Sequence, residues 1–324
     1  MTMRILLLAG GGGTRLWPLS TDERPKQFLA LLSEKSLLRE TYERLLPLSR
    51  EVFVATGARY TGLVRAELPE VAAPRILEEP FRRNSGPAIL AAAIRFAADG
   101  DPITAAIPSD QTVRDAEAFR RALAAAEQGA DAASVVVLAA APTRPETDYG
   151  YVEQRDGEVI RFTEKPEAAK AREFWTSGRH LWNAGIFVFR PSRLLAEARR
   201  VAGDLVEGVE RFVGTGAAAD YEALPDISID FAVMEKIGSV RAVPLEAGWS
   251  DVGTWRSVRQ LRGPTDAAGN LVISRLPVLA PGVRDTVIVA GDAGILVLPL
   301  EREGELRDAV AGLTRREGSA GRKE

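Results

Sequence analysis

Over its first 140 residues the chain repeatedly alternates a short apolar run with a helical stripe, and this alternation limits the folds open to it more than any other feature. Residues 3–8 read as a buried strand, while residues 36–48 place Leu37, Leu38, Tyr42, Leu45 and Leu46 on one helical face. The pattern recurs, with strands expected over 51–56, 75–77, 103–107 and 133–139 and helices over 58–68, 85–98 and 114–128. A strand followed by a helix of this length returns parallel to its predecessor through a right-handed crossover. The expected fold class is therefore α/β, with a mainly parallel sheet and helices on both faces. Ligands of such sheets bind beyond the carboxyl ends of the strands, so the residues after Leu8, Leu77 and Ile107 are the first places to look for chemistry.

From Tyr149 the texture changes. Residues 149–154 and 158–163 flank Arg155, Asp156 and Gly157, a turn-forming break that predicts a β-hairpin. A strand over 184–189, helices over 192–202 and 228–236, and a strand over 239–245 follow. Beyond about Gly263 come short strands over 271–274, 286–289 and 295–298, then an amphipathic helix over 305–313, read together as a small appendage with a frayed tail from Gly318.

Composition removes whole classes of chemistry. The 324 residues include no cysteine, so disulfides, thiolate zinc sites and thiol nucleophiles are excluded. The single histidine, His180, rules out a site with two imidazoles, would have to serve alone as the base of any Ser-His-Asp triad, and is assigned no role. With 42 Lys+Arg against 45 Asp+Glu, no broad basic field draws the chain to nucleic acid or anionic lipid. No apolar run approaches the roughly 20 residues of a membrane helix, and the start has too short an apolar run for a secretory signal. The expectation is a cytoplasmic protein with small-molecule partners.

Gly10, Gly11, Gly12 and Gly13 follow the first strand and lead into Thr14 and Arg15. A glycine-rich turn there brings backbone N–H groups to phosphate oxygens, although a tight strand-to-helix turn asks for the same glycines. The Walker pattern fails because no Gly-Lys-Ser/Thr follows, and GxGxxG fails because position 15 is arginine, which removes the nicotinamide oxidoreductase reading. Arg15 offers a planar fork and Lys26 a compact charge, a pair suited to a polyphosphate.

The segment AGGGGTRLWPLS at 9–20, with PKQF at 25–28, resembles the signature of sugar-1-phosphate nucleotidyltransferases, and its WPLS and PKQF variants are similar to those of mannose-1-phosphate guanylyltransferases. EPFRRNSGPAI at 79–89, PSD at 108–110, PETDYGY at 145–151, FTEKP at 162–166, WNAG at 182–185 and WSDVGTW at 249–255 agree, in the family's order. The resemblance implies the nucleotide-diphospho-sugar transferase fold, Rossmann-like, in a catalytic domain at 1–262. A short β-rich, left-handed-helix-like domain at 263–324 would follow and would make the homodimer. Longer members add a sugar-phosphate isomerase domain; this chain resembles the single-function form.

The implied reaction is attack by a phosphate oxygen of mannose 1-phosphate on the α-phosphorus of GTP, giving GDP-mannose and pyrophosphate, with Mg²⁺ as cofactor. Because the nucleophile is already an anion, the work left to the protein is alignment and charge stabilisation. The resemblance assigns the nucleotide to Ala9, Gly10, Gly11, Gly13, Thr14, Arg15, Lys26, Asn84, Ser85, Pro108, Ser109 and Asp110. It assigns the sugar phosphate to Thr147, Tyr149, Gly150, Glu164, Lys165, Asn183 and Gly185. Arg15, Lys26 and Lys165 are the catalytic cations, and Asp110 and Asp251 the carboxylates that would hold Mg²⁺.

Blander readings stand beside these. Asp110 could be a helix or turn cap, Asp251 the cap of a helix starting near Val252, and Asn84 with Ser85 an N-cap and nothing more. Asp148 stands where the family has glycine, and Gly86 where another small residue is commoner. The rivals are a same-fold transferase using another nucleotide or hexose 1-phosphate, and a non-catalytic nucleotide-sugar sensor.

Overall fold

The protein is described from a computed structural model covering residues 3–11, 15–131 and 135–320. The strands are β1 (Arg4–Leu8), β2 (Val52–Gly57), β3 (Ile76–Glu79), β4 (Thr104–Pro108), β5 (Val135–Ala140), β6 (Tyr151–Arg155), β7 (Glu158–Thr163), β8 (His180–Phe189), β9 (Val240–Pro244), β10 (Leu271–Ile273), β11 (Thr286–Gly291) and β12 (Gly294–Pro299). The helices are α1 (Leu37–Leu45), α2 (Thr61–Glu67), α3 (Ser85–Ala98), α4 (Ala116–Gly129), α5 (Ala168–Ser177), α6 (Pro191–Thr215), α7 (Ala218–Glu222), α8 (Trp255–Arg262) and α9 (Leu306–Ala320). The chain divides into two compact units, residues 1–10 with 41–249 and residues 11–40 with 250–324. This division differs from the expected one at 262/263: residues 11–40 and 250–262 cluster with the C-terminal strands because Leu16, Leu29, Leu31, Val252 and Trp255 share a core with Leu271, Val287 and Leu296.

The first unit holds a nine-stranded sheet in the order β3-β2-β1-β4-β8-β5-β9-β7-β6. β3, β2, β1 and β4 are parallel, as the alternation predicts. The other half is mixed, which corrects the mainly parallel expectation. β4 and β5, joined through α4, leave one strand's width between them, and β8 fills it antiparallel to both. The hairpin of β6 and β7 forms as predicted around Asp156 and Gly157. Every position of β5 is buried, so both sheet faces are covered at its centre, whereas β7 near the edge has no buried position. On one face Leu6, Ala106, Phe187 and Phe189 join α3 and α6 in a single core. α6 runs on past the 192–202 helix expected from sequence, with a non-helical kink at Ala202.

In the second unit β10 and β11 lie parallel, as successive rungs of a coil would, and β12 turns back antiparallel as a hairpin. Thr254 caps α8 in a reciprocal pair with Ser257.

Candidate active site

At the parallel half of the sheet the site is built from strand ends. Ser109, just past β4, is fully buried, and its Oγ and backbone N–H both donate to the Leu8 carbonyl of β1, at 2.8 and 3.1 Å. Asp110 follows in the turn, and Asp115, five residues on, is the group that caps α4 by accepting from the Ala118 N–H. Asp110 therefore does not cap that helix. At the end of β3 the Glu79 carboxylate accepts a 2.6 Å hydrogen bond from the Tyr221 hydroxyl, and Oε1 lies where a Cβ on Gly10 would come within 3.2 Å of it. Burial pushes the Glu79 carboxyl up to about 7 and, with the charge of Glu79, pushes the Tyr221 hydroxyl up as well. Asn84 caps α3 through its side chain at φ 62°, while the Ser85 Oγ accepts from the Ile229 N–H at 3.0 Å. Asn84 is occupied as the N-cap reading requires, whereas the Ser85 hydroxyl reaches beyond the helix to Ile229; both stand in the segment that the resemblance places near the nucleotide.

The mixed half presents side chains from a hairpin and a bulge. β5 pairs Leu138 with Ile186 but Ala139 with Asn183, so Ala184 and Gly185 are extra residues on β8, and the bulge re-aims the side chain before it. Gly185 sits at φ 66°, a conformation that costs a residue with a Cβ. Gln111 pins the bulge, donating to the Ala184 carbonyl at 2.7 Å and accepting from the Trp249 indole at 2.9 Å. The Asn183 amide is held at both ends: its oxygen accepts from the Gly185 N–H at 2.8 Å and its nitrogen donates to the Asp230 carboxylate at 2.7 Å. Gly150 bonds the Asn183 N–H through its carbonyl at 2.8 Å, and a Cβ there would overlap the Glu164 carboxylate. Lys165, at φ 44° and largely exposed, ion-pairs with Glu164 at 3.2 Å. Tyr149 packs edge-on against Trp182 and Trp249, with the Arg144 guanidinium over the Tyr149 and Trp182 rings. Thr147 and Asp148 are exposed and donate their N–H groups to Glu146.

In the second unit Lys26 is 7 % exposed, and its ammonium donates to the Asp251 main-chain carbonyl. Gln27 holds the Gly11 carbonyl at 3.1 Å. The Asp251 carboxylate accepts from the Gly253 N–H at 3.1 Å, and Thr254 caps α8, so the capping role considered for Asp251 is overturned: the helix starts three residues later than expected. Val252 between them sits at φ 51°, rare for a β-branched residue and a sign of a segment held by its surroundings. Arg15 lies in the turn after the glycines; Gly13 and Thr14 lie outside the described residues.

The sequence pattern of the family described as "Nucleotidyl transferase" matches residues 4–263. The chain belongs to the nucleotidyl transferase family. It is 36% identical to the xanthan biosynthesis protein XanB of Xanthomonas campestris pv. campestris, over 98% of this chain and 74% of that one. With the mannose-1-phosphate guanylyltransferase of Klebsiella pneumoniae it shares 32% identity over 97% of this chain and 74% of the relative. A crystal structure from Thermus thermophilus, described as a mannose-1-phosphate geranyltransferase, superimposes with a TM-score of 0.89 at 34% identity, covering 97% of this chain and all of the other. This nucleotidyl transferase is thus an enzyme that acts on a nucleoside triphosphate and a sugar 1-phosphate.

Within its first unit the transferase places Glu164, Lys165, Gly150 and Asn183 close together, and Ala9, Gly10, Pro108, Ser109 and Asp110 at adjacent strand ends. Asp230, Tyr221, Gln111 and the Glu79 carboxylate were not among the expected site residues. Glu79 opens a quoted motif and was within reach of sequence reasoning; Asp230 and Tyr221 lie in unremarkable helical text, and only the fold brings them to Asn183 and Glu79. His180 is buried, stacked on Phe174 at 4.0 Å with Nδ1 2.8 Å from the Ser177 hydroxyl, a packing role. No helix among the described residues is long and apolar enough to cross a membrane.

Proposed function

We propose that the chain transfers GMP from GTP to α-D-mannose 1-phosphate, releasing pyrophosphate. A phosphate oxygen of the sugar phosphate forms a bond to the α-phosphorus in line with the breaking bond to the bridging oxygen, and pyrophosphate leaves with that bond's electrons; no covalent enzyme intermediate is required. The observation that carries the choice of base is Glu79. Burial leaves it close to half protonated near pH 7 and Tyr221 occupies one oxygen, but facing donors favour its ionised, acceptor-only form, and guanine is the base whose pairing edge places N1–H beside the N2 amino group, two adjacent donors for one carboxylate. Relatives named mannose-1-phosphate guanylyltransferase support the same choice.

Arg15 and Lys26 hold the triphosphate and the charge that develops on it, and Lys165, exposed enough to exchange Glu164 for a phosphate, holds the sugar phosphate. The carboxylates of Asp110, in the first unit, and Asp251, in the second, are hard oxygen donors of the kind Mg²⁺ takes. Bound there, Mg²⁺ would neutralise phosphate charge. Asp251→Ala should abolish metal-dependent turnover; normal Mg²⁺ dependence would return Asp251 to a purely structural role. Self-association through the C-terminal strands belongs to the same proposal, since Ile295 and Val297 of β12 are exposed.

The test is pyrophosphate release with Mg²⁺ over a grid of GTP, ITP, ATP, UTP and dTTP against mannose 1-phosphate and glucose 1-phosphate. The expected result is turnover with GTP and mannose 1-phosphate, weaker with ITP, which lacks the N2 amino group. A different best pair would overturn the substrate assignment, and nucleotide binding without turnover would favour a sensor.

A further inference from the structure

The short π-helical turn Asp230–Met234 carries none of the groups assigned to substrate, yet it bonds one of the two residues expected to read the sugar hydroxyls and feels the charge of the other. Asp230 accepts from the Asn183 amide nitrogen at 2.7 Å, and burial, with the negative charge of Glu164, pushes its carboxyl up to about 6. The turn is itself fastened to the start of α3: the Ile229 N–H donates to the Ser85 hydroxyl at 3.0 Å, and the Gly86 N–H donates to the Ile227 carbonyl at 3.0 Å. A Cβ on Gly86 would come within 2.6 Å of that carbonyl, which accounts for glycine at this position.

We infer that Asp230 is a positioning residue that fixes the polarity of the Asn183 amide, and through it the choice of sugar epimer. The amide has two ends that exchange by a half-turn. The Gly185 N–H demands the oxygen on one side and the Asp230 carboxylate demands the nitrogen on the other. So held, Asn183 spends one N–H on Asp230 and keeps one to donate to a hydroxyl oxygen, next to Glu164, which accepts a hydroxyl hydrogen. A donor and an acceptor of fixed order reject a hydroxyl in the wrong configuration, because one of them is left unpaired. Freed from Asp230, the amide keeps only the single bond from the Gly185 N–H to set its polarity.

This inference rests on the reading of Glu164 and Asn183 as sugar-facing, so its test uses the hexose 1-phosphate that the wild type turns over best, whichever that is. Asp230→Ala should raise the KM for that sugar phosphate by about tenfold or more, with the loss concentrated there rather than in kcat or in the nucleotide KM. It should also narrow the preference for the better epimer over the poorer. Asp230→Asn, which can still accept from Asn183, should recover most of the loss and guards against a misfolded alanine variant. In an Asn183→Ala background the Asp230→Ala change should add nothing to KM. An undiminished effect in that background, or an epimer preference unmoved in both Asp230 variants, would overturn the inference. Wild-type turnover that ignores the sugar altogether would overturn the underlying reading instead.

Discussion

The two halves of the nine-stranded sheet build their share of the site in different ways. On the parallel half the groups stand at strand ends: Gly10 after β1, Glu79 at the end of β3, Ser109 and Asp110 after β4, with Ser109 tied to the neighbouring strand rather than left for a ligand. On the mixed half they stand at the open end of a hairpin, just after β7, and on the bulged strand β8, and each is held by another side chain: Asn183 by Asp230 and Glu164 by Lys165, while Gln111, from the turn after β4, ties the bulge to Trp249. Parallel strands feed a crossover and stop together, so their ends make a backbone-rich rim suited to phosphates and a base. Antiparallel strands need no crossover, so a bulge can turn one side chain out of the ladder and a network must then fix it. The first arrangement suits an anion at any position along the rim; the second suits discrimination among hydroxyls.

The largest expected effect comes from Gly150→Ala, where the new methyl overlaps Glu164. Displacing Glu164 should lower kcat/KM for the sugar phosphate on the order of 100-fold and leave the nucleotide KM nearly unchanged, as steady-state kinetics against each substrate would show. Equal loss on both constants would dissolve the division between the halves. Next is Gly86→Ala, at the point where α3 meets the turn that carries Asp230. Its clash with the Ile227 carbonyl should cost roughly 1–3 kcal/mol, read as a lower Tm, and unlike the first variant it should raise both KM values.

Glu79 gives a smaller effect with a defined sign. In the fold it loses its proton at about 7 rather than 4.5, so between those values the folded state binds more protons than the unfolded chain and stability falls as pH rises. The loss is at most roughly 3 kcal/mol for a shift of this size. Calorimetry at pH 5 and 7.5 should find the wild type losing stability over that interval, and Glu79→Gln losing less. A parallel decline in both proteins would remove Glu79 as the cause. The smallest effect belongs to His180, which burial holds below its usual value and hence neutral near pH 7. His180→Gln should cost about 1 kcal/mol through the lost ring packing and Ser177 contact and leave kcat unaltered; a marked fall in kcat would mean that the packing reading missed a role.

The parallel half was legible in the sequence because it is local. Each strand and its following helix announce themselves by period, and α3 begins at Ser85 as expected because Asn84 is a strong cap. The mixed half was legible only as pieces. The hairpin of β6 and β7 follows from its turn, but β8 between β4 and β5 is a non-local pairing that no periodicity encodes. The same holds for residues. Glu164, Lys165 and Asn183 lie in recognisable segments, whereas Asp230 sits 47 residues from the amide it orients. Asp251 passes for a cap in the sequence because a carboxylate before a helix looks the same whether the helix starts at the next residue or at the fourth one on.

The division of labour between the halves is tested most directly by measuring both Michaelis constants for two variants side by side, Glu79→Gln on the parallel half and Lys165→Ala on the mixed half. A crossed pattern is expected, with Glu79→Gln raising the GTP constant and sparing the sugar phosphate, and Lys165→Ala doing the reverse. Both variants raising the same constant, or Lys165→Ala leaving the rate and both constants unchanged, would contradict it.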